Sequence, residues 1–129
     1  IMVAADLSQL DGLVALSGVQ REQLASIWPA PVTYLLPATP AVPEWVRGEH
    51  AKVAVRVSPH PLVRALARAV GTPIISTSAN RAGQPPARNR FQVARVMGAE
   101  LDFIVTGDCD PRARPSTIID LETGQVVRA

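Results

Sequence analysis

The sequence predicts an α/β domain. Apolar runs of strand length alternate with segments of helical period, the pattern in which helices cover a sheet. Hydrophobic residues make up 47% of the 129, with 12 prolines and 8 glycines as punctuation, a balance that suits one globular domain instead of a disordered tail. No internal repeat, heptad run or low-complexity block interrupts it.

In order along the chain, residues 1–5 (IMVAA) read as a strand, and Asp6 as the N-cap of a short helix through Leu10 and Leu13. Residues 20–28 place Leu24, Ile27 and Trp28 on one helical face, and Pro29 and Pro31 end that helix. Residues 32–36 form a strand, 37–43 are Pro-rich and irregular, and a helical turn follows around 44–46. Residues 52–57 alternate and are β-branched, hence a strand. Residues 60–70 carry Leu62, Val63, Leu66, Ala67 and Val70 at helical spacing, with Gly71 as the stop. Residues 73–77 are a strand delivering the polar loop Ser78-Ala79-Asn80. Phe91, Val93, Ala94 and Met97 define a helix, 103–106 a strand and 107–114 a charged loop. Residues 117–121 and 126–128 read as a hairpin across Glu122-Thr123-Gly124. Trp28 is assigned to the core and Trp45 to the surface cover.

Twelve arginines and the single lysine, Lys52, face 11 acids, so the net charge is only +2. That weak field argues against avid binding to a phosphate backbone. One cysteine, Cys109, excludes an internal disulfide framework and a Cys-rich zinc site, and fits a reducing cytoplasm. No apolar run approaches the roughly 18 to 20 residues that span a bilayer, so no membrane role is expected. The chain opens at Ile1, directly inside an apolar run, and the expectation is that an N-terminal portion is missing.

Common phosphate loops are absent: there is no G-x-G-x-x-G and no G-K-[ST]. The two histidines, His50 and His60, and the lone cysteine do not form a zinc spacing. The strongest local signal is Pro73-Ile74-Ile75-Ser76-Thr77-Ser78-Ala79-Asn80, three hydroxyls and an amide at a strand end. Such ends open into the ligand crevice of α/β sheets, where hydroxyls and backbone N–H groups cradle phosphate oxygens. The bland alternative is that they only close the strand and cap the loop. Ser116-Thr117 opens another strand and alone says little. Arg56 sits mid-strand in Val53-Ala54-Val55-Arg56-Val57. A guanidinium there has an internal acid, a ligand carboxylate or phosphate, or a solvated strand face to satisfy it. His60, before Pro61, suits a helix cap, and Cys109 suits an inert loop thiol.

Four blocks together, Trp28-Pro29-Ala30-Pro31-Val32-Thr33, the run from Val53 to Leu62, Ser76-Thr77-Ser78-Ala79-Asn80 with Gly83, and Pro115-Ser116-Thr117-Ile118-Ile119-Asp120, resemble the YrdC/TsaC family in order and spacing. The likeness runs from residue 1 to 129 and implies a single YrdC-like domain lacking its N-terminal strands and Lys/Arg motif. The implied architecture is a twisted open mixed sheet with flanking helices and a concave ligand face, YrdC/RibB-like. The implied activity is nucleotidyl transfer: L-threonine, bicarbonate and ATP, with Mg²⁺ in the ATP complex, give threonylcarbamoyl-AMP and pyrophosphate. That product feeds N6-threonylcarbamoyladenosine formation on tRNA through downstream threonylcarbamoyl transferase proteins.

Carried over by resemblance, Arg56 holds the threonine carboxylate, while Ser76 and Ser116 line the threonine pocket. Lys52, Ser78, Asn80 and Arg128 contact ATP, Lys52 with its backbone as the alternative to its side chain. The expectation is that Arg56, Ser78 and Ser116 face one hollow. Two features depart from the family pattern: Ala82 precedes Gly83, and Pro86 occupies the place of a second hydroxyl. Without the N-terminal cations, the 129-residue piece is expected to be inactive or severely impaired. The competing class is a binding module for tRNA or double-stranded RNA in ribosome maturation. Carbamoyl transfer in hydrogenase maturation would need further domains.

Overall fold

The computed structural model describes residues 1–107, 109, 110, 112 and 114–129. It divides into two units, Ile1–Ser76 with Ser116–Ala129, and Thr77–Pro115.

The first unit is built on six strands: β1 (Met2–Ala4), β2 (Val32–Pro37), β3 (Lys52–Val57), β4 (Ile74–Ile75), β5 (Thr117–Asp120) and β6 (Val126–Arg128). They lie in the order β4-β1-β3-β2-β5-β6. The β1/β3 and β2/β5 pairs are parallel and the other three antiparallel, so the sheet is mixed and open. Helices α1 (Gly18–Ile27), α2 (Glu44–Arg47) and α3 (Pro61–Val70) flank it.

Local chemistry sets these elements. Ser17 accepts from Gln20 N, and Gln20 answers with its side chain on Ser17 N, a reciprocal cap that starts α1 two residues before the apolar stripe predicts. Asp6 caps the element as expected, but it is a 3₁₀ turn over Leu7–Leu10 and stops short of Leu13. Gly71 ends α3 at φ 79°, a left-handed geometry that favours glycine. On β3 the alternation is literal, with Val53, Val55 and Val57 buried and the intervening residues half-buried. These valines join Met2, Ala4, Leu24, Tyr34 and Leu36 in one core, and Trp28 packs edge-on to Tyr34 with ring centroids 5.7 Å apart. Trp28 is thus core and Trp45, 80% exposed, is surface, as expected.

The second unit holds a turn-rich loop, helix α4 (Arg90–Met97), capped by Asn89 accepting from Gln92 N, and a 3₁₀ turn at Gly98–Glu100. The predicted strand at residues 103–106 is corrected here: these residues adopt no strand, and Phe103 is 80% exposed. A β-prone run becomes a strand only with a ladder partner and a face to bury, and this run has neither among the described residues. The strand at 73–77 contracts to Ile74–Ile75 at the sheet edge, Pro73 having no N–H to donate. His60 stands at the cap position of α3 but makes no side-chain capping bond, against the sequence reading; its backbone N–H donates to Ser58 Oγ instead. Asp108, within the expected charged loop, lies outside the described residues, as do Pro111 and Ala113. No described helix is long and apolar enough to cross a membrane.

Candidate functional site

The core takes one face of the sheet, and the alternation of β3 sends Lys52, Ala54 and Arg56 to the other. Register then decides what accompanies Arg56. Val3 pairs with Arg56 across β1/β3, and the Tyr34–Val55 pair puts Thr33 on the far side of Arg56. Thr33 pairs with Ile118, and Ile118 with Arg128. One row across the sheet therefore carries Arg56, Thr33 and Arg128, with Ser116 just ahead of β5.

Arg56 Nε is fully buried and has no hydrogen-bond partner. Burial pushes the guanidinium pKa down from its ordinary value, and the neighbouring Arg128 cation pushes it the same way. No acid pairs with it among the described residues. Of the three ways the sequence left to satisfy Arg56, an internal acid is not found among the described residues, and a ligand anion and a partly solvated strand face remain for this half-buried side chain. Arg128 Nη2 donates to the carbonyl of Ser116 at 2.9 Å. Ser116 is itself buried, and its hydroxyl lies 2.7 Å from Thr33 Oγ1 in a buried bond. Ser76 follows β4, where its N–H donates to Ile1 O at 2.8 Å, extending the edge ladder by one step. Two residues beyond Ile74, which pairs with Val3, it shares the parity of the Arg56 face.

Lys52 is engaged otherwise. Its Nζ donates to both carboxylate oxygens of Asp120, at 3.0 and 2.7 Å, and lies 2.5 Å from Glu122 Oε2. Asp120 in turn accepts from the backbone of Glu122 and Thr123, tying β3 to the hairpin turn. Asp120 holds the Lys52 pKa above its ordinary value and is itself pushed below the carboxylate range by Lys52. Beside this pair Leu35, His50, Ala51, Lys52 and Val127 line a largely apolar cavity of about 540 Å³.

Ser78 and Asn80 belong to the second unit. Asn80 N donates to Ser78 O at 3.0 Å, Asn80 Nδ2 to Arg81 O at 2.9 Å, and Ala87 N to Ala79 O at 2.8 Å, closing the loop on itself. Ser78 is exposed and Asn80 half-buried; Ala82 and Pro86 are exposed in the same loop. No three His, Cys, Asp or Glu side chains cluster as a metal cage among the described residues.

In the first unit, then, the structure brings Arg56, Arg128 and Ser116 together and sets Lys52 further along the same face in an ion-pair network. Sequence reasoning missed three neighbours of the candidate site residues. Thr33 signalled only as a polar residue inside the apolar strand of β2, and Asp120 and Glu122 lie about seventy residues from the lysine they hold.

Comparison with known proteins gives a consistent result. The Sua5/YciO/YrdC family model, described as "Telomere recombination", matches residues 1–129. The threonylcarbamoyl-AMP synthase of Nitrosococcus oceani is 49% identical over 129 residues, covering 99% of this chain and 70% of that protein. The crystal structure of P. abyssi Sua5 complexed with L-threonine superposes with a TM-score of 0.86 at 30% identity, over 97% of this chain. E. coli YciO gives 0.82 at 26% identity, over 98% of this chain. The chain spans only 37% of the Sua5 chain and 63% of YciO. With a family match along its full length, and this sheet topology beneath it, the chain belongs to the Sua5/YciO/YrdC family.

Proposed function

We propose that this chain carries the threonine- and nucleotide-binding sheet of a threonylcarbamoyl-AMP synthase, the name borne by the N. oceani relative. One observation carries the reading: a buried guanidinium nitrogen without a partner, in the field of a second arginine and beside a buried serine. A carboxylate meets the planar fork of arginine with two parallel hydrogen bonds and would give that nitrogen a partner. The Sua5 relative, whose structure is a complex with L-threonine, supports the carboxylate of that amino acid as the anion.

In this reading the threonine carboxylate binds Arg56, and Ser76 and Ser116 line the pocket around the amino acid. Bicarbonate loses hydroxide to give CO₂, the threonine amine adds to its carbon, and the proton the amine sheds leaves with that hydroxide as water, giving a carbamate. A carbamate oxygen then attacks the α-phosphorus of ATP; the bond to the bridging α–β oxygen breaks, and pyrophosphate leaves with its charge balanced by the Mg²⁺ that accompanies ATP. No protein nucleophile is needed. Positioning and charge neutralisation do the work, which suits hydroxyls and arginines. Arg128, Ser78 and Asn80 are assigned to the nucleotide. Because Asp120 and Glu122 occupy the Lys52 ammonium, its part in ATP binding falls to its backbone and to the apolar cavity that it lines, which suits a purine ring. The product passes to threonylcarbamoyl transferases acting on tRNA, a cytoplasmic role.

The test is direct. The protein is incubated with L-threonine, bicarbonate and Mg·ATP, and threonylcarbamoyl-AMP and pyrophosphate are measured together. Equimolar, threonine-dependent formation abolished by Arg56→Ala, at the reduced rate expected of the 129-residue piece, or threonine binding by calorimetry that Arg56→Ala abolishes, supports the proposal; absence of threonine binding, or pyrophosphate release that does not depend on threonine, contradicts it.

A further inference from the structure

We propose that Thr33 is a positioning residue that sets the threonine pocket through Ser116. The inference rests on the function proposed above.

Thr33 is wholly buried, on β2, between Arg56 on one side and Ile118 on the other. Its Oγ1 makes one bond, to Ser116 Oγ at 2.7 Å. Ser116 stands where the chain enters β5, so its backbone alone leaves χ1 to choose among three staggered wells. The carbonyl is tied by Arg128. The hydroxyl is tied by Thr33, 83 residues away in sequence. Each end of Ser116 is thus held by a different strand, and both ties lie on the Arg56 face of the sheet.

The choice of threonine at position 33 follows from the same geometry. A hydroxyl offers one donor and two acceptor sites, so the Thr33 bond leaves Ser116 with capacity for a ligand. A β-branched side chain is stiff at χ1, which makes Thr33 a firmer anchor than an unbranched alcohol. With valine at this position the shape survives while the bond is lost, and Ser116 Oγ is released from its direction.

The experiment combines Thr33→Val, Thr33→Ser, Ser116→Ala and the double variant Thr33→Val/Ser116→Ala, all checked for native melting behaviour. L-Threonine affinity is read by calorimetry, KM for threonine and ATP by pyrophosphate release, and the Ser116 rotamer in a crystal structure of Thr33→Val. The expected result is a loss of threonine affinity of about tenfold in Thr33→Val, the size of one lost hydrogen bond, with KM for ATP unchanged. Thr33→Ser should restore most of the affinity. In the Ser116→Ala background the valine should cost nothing further, since the cycle isolates the pair. Native threonine affinity in Thr33→Val, an equal loss with or without Ser116, or a single native Ser116 rotamer in the Thr33→Val crystal would each overturn the proposal. Should the parent protein bind no threonine at all, the proposed function fails, while the crystallographic arm still decides the role of Thr33.

Discussion

Replacing Arg56 with methionine separates stability from function. The long unbranched stem is retained, while the charge, the buried Nε and the repulsion from Arg128 all disappear. A buried donor without a partner costs about 1–3 kcal/mol, so Arg56→Met should stabilise the unliganded protein by roughly 1–2 kcal/mol, allowing for imperfect packing of the thioether. At roughly 4 °C per kcal/mol for a chain of this size, Tm rises by about 4–8 °C. The same change removes two charge-assisted bonds to a carboxylate. At about 1.5–3 kcal/mol each, threonine affinity falls by about 10²- to 10⁴-fold. The assay is a thermal melt with and without L-threonine, alongside pyrophosphate release. A variant that melts below the parent, or that still gains stability from threonine, refutes the reasoning.

Other perturbations probe the supports of the site. Asp120 has a folded-state pKa below its ordinary 3.8, so the stability it supplies is present above that value and fades as pH falls through the lower folded one. Asp120→Asn should therefore flatten, without abolishing, the acid limb of the urea midpoint against pH, because Asp6 is also lowered, chiefly by the Ser8 hydroxyl. Lys52 is raised above 10.5, and its contribution is lost only as pH climbs past the folded value; Lys52→Met should remove the alkaline limb. Ser17→Ala breaks the reciprocal cap of α1 and should cost about 1 kcal/mol in denaturant unfolding. Leu24→Ala opens a hole in the fully buried core and should cost about 2–5 kcal/mol by the same measurement.

Elements written in short-range pattern were legible before any coordinates. The alternation of residues 52–57 gave a strand with one buried face, Gly71 ended its helix, and the hairpin around Glu122-Thr123-Gly124 formed as read. What failed, or stayed open, depends on partners distant in sequence. Residues 103–106 have strand composition but no ladder. The single lysine meets Asp120 across 68 residues and Thr33 meets Ser116 across 83, pairings that no local periodicity encodes. Arg56 was conspicuous from its apolar neighbours, yet only the described contacts set aside an internal acid as its partner. The proposed assignments of Ser76, Ser78 and Asn80 rest on the ordered motifs alone.

The most direct measurement compares, by calorimetry, L-threonine with L-threoninol, which keeps the amine and side chain but replaces the carboxylate by an alcohol. A half-buried guanidinium whose Nε has no protein partner should bind the amino acid and leave the amino alcohol at least about a hundredfold weaker, the loss of two charge-assisted bonds. Equal affinity for the two would mean that Arg56 holds no carboxylate.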